Sequence, residues 1–199
     1  STRKESSAAS DVYKRQPAYG TILSNKVVKS GDTVQLSKLF APLIEPELVF
    51  VLTEDISPDA SDETILNSVK VAPGIEIPDA RYKDWFPNFT LGDLISDNTA
   101  SGLVALGEAK APVSYNDFEN ITLKLSKDNE EIATGISSDV LGNPIEALKW
   151  LINKLNTQGK QLYKGQIVSS GTFVPPVPAK AGTYKAEYSY PGSIEVTFE

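Results

Sequence analysis

Glu45 and Glu47 stand two residues apart in Leu43-Ile44-Glu45-Pro46-Glu47-Leu48-Val49-Phe50-Val51-Leu52. The run is apolar, rich in β-branched residues and too short for a convincing helix, so it reads as a strand. Side chains alternate along a strand, so both carboxylates project from one face, with Cα atoms about 6–7 Å apart. Two carboxylates so close repel each other and call for a cation, a proton or an arginine. Oxygen donors of this kind suit a divalent metal such as Mg²⁺ or Mn²⁺. Glu76, in the run Gly74-Ile75-Glu76-Ile77-Pro78-Asp79-Ala80-Arg81, offers a third oxygen. The alternative is a solvated strand face that binds nothing. Pro46 has no ladder donor, which places the segment at a sheet edge, a strand start or a bulge.

Thr33 to Leu36 reads as a short strand and Glu63 to Val71 as a short helix stopped by Pro73-Gly74. Arg81 either offsets nearby carboxylates or is a surface arginine. Trp85-Phe86-Pro87-Asn88-Phe89 is an aromatic loop suited to packing. Ser96-Asp97-Asn98-Thr99-Ala100-Ser101 gathers short hydrogen-bonding side chains of the kind found in turns and caps. Ile121 to Leu125 and Glu131 to Thr134 flank Lys127-Asp128-Asn129-Glu130 as a hairpin. The clearest helix starts at Asn143, a good N-cap, with Pro144 at its first position and Glu146 three residues after the cap. Leu148, Leu151, Ile152 and Leu155 form its apolar stripe, and Gly159 ends it. Gln166 to Ser169 is a strand leading into Ser170-Gly171-Thr172, where a glycine lets backbone N–H groups approach an anion. Alternation around Pro191-Gly192 gives a closing hairpin. Many short strands and one strong helix make a β-rich α+β domain.

Composition narrows the chemistry. The 199 residues are 40% hydrophobic and 23% charged, ordinary for one globular domain. A net charge of −7 argues against nucleic-acid and anionic-membrane partners. There is no Cys and no His. Thiolate sites, cysteine nucleophiles, Ser-His-Asp hydrolysis and His-ligated zinc are therefore excluded. Acid/base work falls to Asp, Glu, Lys, Tyr, Arg or water. No apolar run is long enough to span a bilayer as a helix.

Pro17-Ala18-Tyr19-Gly20, Ile44 to Leu52, Ile75 to Arg81, Ser96-Asp97-Asn98, Leu141-Gly142-Asn143-Pro144 and Ser170-Gly171 occur in this order. Together they resemble the 2-keto-4-pentenoate hydratase group of the fumarylacetoacetate hydrolase superfamily, over Pro17 to the C-terminus. That group includes 2-hydroxypentadienoate and 2-oxohept-3-enedioate hydratases and 4-oxalocrotonate decarboxylases. The resemblance implies a β-roll with flanking helices. It also implies Mg²⁺ or Mn²⁺ held by Glu45, Glu47 and Glu76, with Ser96, Asp97, Asn98, Arg81, Ser170 and Gly171 at the substrate. The implied reaction is hydration of a 2-hydroxy-2,4-dienoate to a 4-hydroxy-2-oxo acid in aromatic catabolism, by a cytoplasmic protein that is a homo-oligomer when full length. A decarboxylase, or a metal- and 2-oxo-acid-binding relic, is the alternative. Asn143 replaces the histidine usual in this motif, so any catalytic use of that histidine is lost.

The first sixteen residues stand apart. Ser6 to Gln16 reads as the in-frame translation of a transposase-type sequencing adapter, with Ser1 to Glu5 fitting its upstream part and index. We expect residues 1–16 to be a disordered, non-native leader, and the catalytic domain over 17–199 to lack its N-terminal segment. In the resemblance that segment carries a catalytic Lys with no counterpart here; Lys14 lies in the leader and is not assigned that role. Sequencing the source DNA by other library chemistry should then read a different sequence upstream of Pro17; recovering the same codons would refute this.

Overall fold

The computed structural model describes residues 2–6, as backbone, and 17–199. In chain order its strands are β1 (Thr2–Ser6), β2 (Ala18–Ile22), β3 (Val27–Lys29), β4 (Thr33–Val34), β5 (Leu43–Leu52), β6 (Val69–Ile77), β7 (Leu103–Leu106), β8 (Thr122–Lys127), β9 (Glu130–Ile136), β10 (Ile167–Thr172), β11 (Val177–Pro178), β12 (Gly182–Tyr188) and β13 (Ser193–Phe198). The α-helices are α1 (Asp62–Asn67), α2 (Leu91–Ser96) and α3 (Pro144–Asn156).

One sheet runs β2-β1-β10-β5-β6-β7-β3, with β11 added beside β5; the other runs β4-β13-β12-β8-β9. The end strands of the first sheet, β2 and β3, are separated in the chain only by residues 23–26, which reach about 17 Å at most. Laid flat, the sheet would set them about 29 Å apart. It must therefore curl until its edges meet. Ile22 from one edge strand accordingly clusters with Val49, Ala72, Val104 and Ile167 from the middle of the sheet. Glu45, Glu47 and Val49 alternate onto this inner face. Ile44, Leu48 and Phe50 face the other way, into the main core with Leu148, Leu151 and Leu155 of α3 and Tyr184, Val196 and Phe198 of the second sheet.

The helix at 144 forms as its signals require. Asn143 accepts from the Ile145 N–H and Pro144 opens the helix. Glu146 does not turn back on the cap; its carboxylate takes Tyr115 and Lys149. The hairpin over 127–130 turns at Asp128 and Asn129, both with positive φ, as a two-residue connection needs.

Two expectations are corrected and one is narrowed. The helix read over Glu63 to Val71 stops at Asn67, and Val69 to Ile77 is strand with Pro73-Gly74 inside it. The alternation of β-branched Val69 and Val71, both buried, overrides helix propensity. Of the three settings read for Pro46, a sheet edge, a strand start or a bulge, the edge is ruled out, since β5 lies between β10 and β6. The irregularity that accommodates it lies in the neighbour: β10 shifts register between Ser169 and Thr172, so no ladder acceptor is wasted on the missing N–H. Within the leader expected to be disordered, Thr2–Ser6 is a strand, antiparallel to β2 and parallel to β10, with Arg3 opposite Val168 and Lys4 opposite Ser169. Ladder pairing uses the backbone, so most sequences can fill such a slot. Residues 7–16, including Lys14, lie outside the described residues.

Candidate metal centre

Antiparallel pairing of β5 with β6 sets Glu45 opposite Glu76 and Glu47 opposite Gly74. All three glutamates are fully buried, and one carboxylate oxygen from each lies within 4.8 Å of the others. Three hard, anionic oxygens converging out of water suit a divalent cation and nothing softer. The residues present therefore fit the metal.

The supports come from across the sheet. Ser169 Oγ donates to Glu47 Oε2, and the Gly171 N–H reaches the same oxygen at 2.8 Å. The Gly171 contact exists because β10 is bulged there, which turns an N–H away from the ladder and onto a carboxylate. Partners of this kind fix the orientation of a ligand and typically alter metal affinity 10–100-fold when removed. Ser169→Ala should weaken Mg²⁺ binding by about 10-fold; an unchanged isotherm would make Ser169 a spectator. Ser169 escapes sequence reading because its partner is Glu47, far away in the chain. Ser170 is buried too, and its hydroxyl has no hydrogen-bond partner among the described residues.

Tyr188 was legible only as one step of an alternating strand. Its hydroxyl donates toward Glu47 O at 3.0 Å and Gly74 O at 2.8 Å. Burial, and secondly the Glu47 charge, hold its phenol pKa well above the ordinary value, so it remains a donor.

The cluster at 96–101 and Arg81 form a brace. Asn98, Thr99 and Ala100 all have positive φ, three consecutive residues in a conformation that costs non-glycine residues about 1 kcal/mol or more each. Arg81 holds the turn: Nε donates to Asp97 Oδ1 at 2.8 Å, Nη1 to Ser101 O at 2.7 Å and Nη2 to Asp97 O at 2.6 Å. Asn98 clasps β2, accepting from Thr21 N and donating to Thr21 O, both at 2.8 Å. Gly20 must be glycine here, because a Cβ would collide with the Asn98 carbonyl and Thr99 Oγ1. Ser96 is exposed at the end of α2. Asp79 anchors the other side, accepting from the Phe40 and Ala41 N–H groups. Leu43, Ala80, Trp85, Phe89, Leu94 and Ala100 form their own small core, so the aromatic loop packs. Asn98→Ala should cost about 1–2 kcal/mol, since two hydrogen bonds go. Loss of exchange protection at the Thr21 amide is the specific readout; unchanged protection would refute the clasp.

No protein-family profile matches the chain. Individual proteins do. It is 30% identical over 187 residues to the 2-keto-4-pentenoate hydratase of Paraburkholderia xenovorans (strain LB400), covering 92% of this chain and 69% of the relative. It is 32% identical over 204 residues to the 2-oxo-hept-4-ene-1,7-dioate hydratase of Escherichia coli, covering 99% and 76%. Among solved structures, the 4-oxalocrotonate decarboxylase of Pseudomonas putida G7, complexed with magnesium and adipate, superposes with a TM-score of 0.88 at 25% identity, covering 100% of this chain and 77% of that one.

Proposed function

The chain belongs to the 2-keto-4-pentenoate hydratase group of the fumarylacetoacetate hydrolase superfamily, and on that premise we propose that it is a hydro-lyase adding water to a 2-hydroxy-2,4-dienoate. The observation that carries the reading is the convergence of Glu45, Glu47 and Glu76, fully buried and within 4.8 Å. These three would hold Mg²⁺ or Mn²⁺, which supplies Lewis-acid stabilisation of enolate charge on a bound 2-oxo acid.

The rest falls to the chain. Proton transfer to the terminal carbon of the dienol, with loss of the enol O–H proton, gives a 2-oxo-3-enoate. Water then adds with oxygen to C4 and hydrogen to C3, giving the 4-hydroxy-2-oxo acid. Ser169 and the Gly171 N–H hold Glu47 in place, and Ser170, a buried hydroxyl beside Gly171, is the donor we assign to the substrate carboxylate. Arg81, Asp97 and Asn98 act indirectly, through the turn that fastens β2 beside the end of β6. Burial of the carboxylates keeps bulk water from screening them, which strengthens every charge interaction in the site.

The test is loss of dienol ultraviolet absorbance with 2-hydroxypenta-2,4-dienoate, with and without Mg²⁺ or Mn²⁺, correcting for spontaneous ketonisation. Metal-dependent loss with formation of 4-hydroxy-2-oxopentanoate is expected. The likeness to the Pseudomonas decarboxylase favours a second reading, decarboxylation of an oxalocrotonate, which relies on the same enolate stabilisation. Release of CO₂ from 4-oxalocrotonate without dienoate hydration would establish it. Metal-dependent binding without turnover of either would mark a relic.

A further inference from the structure

The strand pair that carries the three glutamates holds two prolines whose missing N–H groups point away from it. Pro46 turns toward β10, where its carbonyl accepts from the Phe173 N–H, and Pro73 toward β7, where its carbonyl accepts from the Gly107 N–H. Between them Glu47 stands opposite Gly74 in the β5–β6 ladder, and β10 leaves register beside Glu47, between Ser169 and Thr172.

Tyr188 brings a donor from the second sheet. Its hydroxyl reaches the carbonyls of both strands, Glu47 O at 3.0 Å and Gly74 O at 2.8 Å. The ring is buried and held edge-on by Phe173, with centroids 5.5 Å apart. Gly74 keeps the junction close: a Cβ there would stand 2.9 Å from Glu47 O and 2.5 Å from Val49 Cγ2. One hydroxyl thus ties two strands at the residue whose side chain must meet Glu45 and Glu76.

We propose that Tyr188 is a positioning residue of the metal centre: its hydroxyl, shared between the carbonyls of Glu47 and Gly74, sets the backbone of Glu47 relative to the Glu45–Glu76 pair. This rests on the metal reading above. The rival account is an ordinary buried tyrosine whose hydrogen bond adds stability and nothing else.

Calorimetric titration of the full chain with Mn²⁺ separates them. Wild type is measured first; if it binds no Mn²⁺, the metal reading falls and this inference with it. Given wild-type binding, Tyr188→Phe should weaken Mn²⁺ affinity about 10–100-fold. Tyr184→Phe is the control: that hydroxyl is also in the core, but accepts from the Lys180 N–H at 3.1 Å. It should lose stability and keep its Mn²⁺ affinity within about two-fold. Equal affinities for wild type and Tyr188→Phe would overturn the inference. If Tyr188→Phe does not fold, the wild-type chain carrying 3-fluorotyrosine decides. A buried ¹⁹F resonance that shifts on adding Mg²⁺ supports the tie, and buried resonances that all stay put overturn it.

Discussion

Glu47→Gln should lower metal-dependent hydration by about 10³-fold, the scale of several kcal/mol of charge stabilisation lost from the transition state. The substitution is nearly isosteric, so the backbone need not move. What changes is charge and hydrogen-bond sense. A glutamine amide can accept from Ser169 and the Gly171 N–H with its oxygen, but then turns an NH₂ toward the metal position. Turning the other way sets two donors against two donors. Either arrangement spoils a ligand. Mn²⁺ titration and the dienol assay should fail together. Glu54→Gln should do neither, because Glu54 is exposed and its carboxylate pairs with Lys164 at 3.3 Å. Glu47→Gln with wild-type turnover would show that chemistry proceeds without this carboxylate.

Deleting residues 1–16 should produce the second large effect. Among the described residues, Thr2–Ser6 is the one ladder partner of β2 and a flank of β10. Without it β2 has no strand beside it, and β10 exposes a row of backbone groups next to Ser169. An uncovered inner edge invites pairing between molecules. Residues 17–199 alone should melt earlier, aggregate, and hydrate the dienoate at least about 10²-fold more slowly, since misplaced groups forfeit that much. A monodisperse 17–199 chain with unchanged melting and Mn²⁺ affinity would show that β1 is a passenger. The result bears on where residues 1–16 came from: a strand slot can be filled by a backbone of any origin, whereas a catalytic lysine cannot be replaced so easily.

How legible was this from sequence? Glu45 and Glu47 announced themselves because charged residues rarely interrupt an apolar strand, and α3 because cap, proline and stripe all agree. Both signals are local. The misreadings share another cause. Pro46 stayed open between a sheet edge, a strand start and a bulge because sequence cannot show that β10, more than a hundred residues away, would yield its own register. Val69 and Val71 were assigned to a helix because α1 ends without a glycine or proline stop. Arg81 was open between two roles, and its partner Asp97 became visible only once the left-handed turn was seen. Ser169 and Tyr188 carry no chemical signature; what they do depends wholly on which carboxylate and which carbonyls the folded chain places in front of them.

The burial of three like charges has a consequence for the amount of folded protein. Like charges held out of water raise the free energy of the folded state relative to the unfolded, in which they are solvated. A cation that binds the folded form alone reverses this by mass action, contributing about 2.7 kcal/mol when free metal is a hundredfold above Kd. Under the proposed metal reading, folding and metal supply are one equilibrium. Starved of divalent cations, a cell would lose this chain to proteolysis of its unfolded fraction, and its catabolic capacity would fall through abundance before any loss of turnover per molecule could be measured.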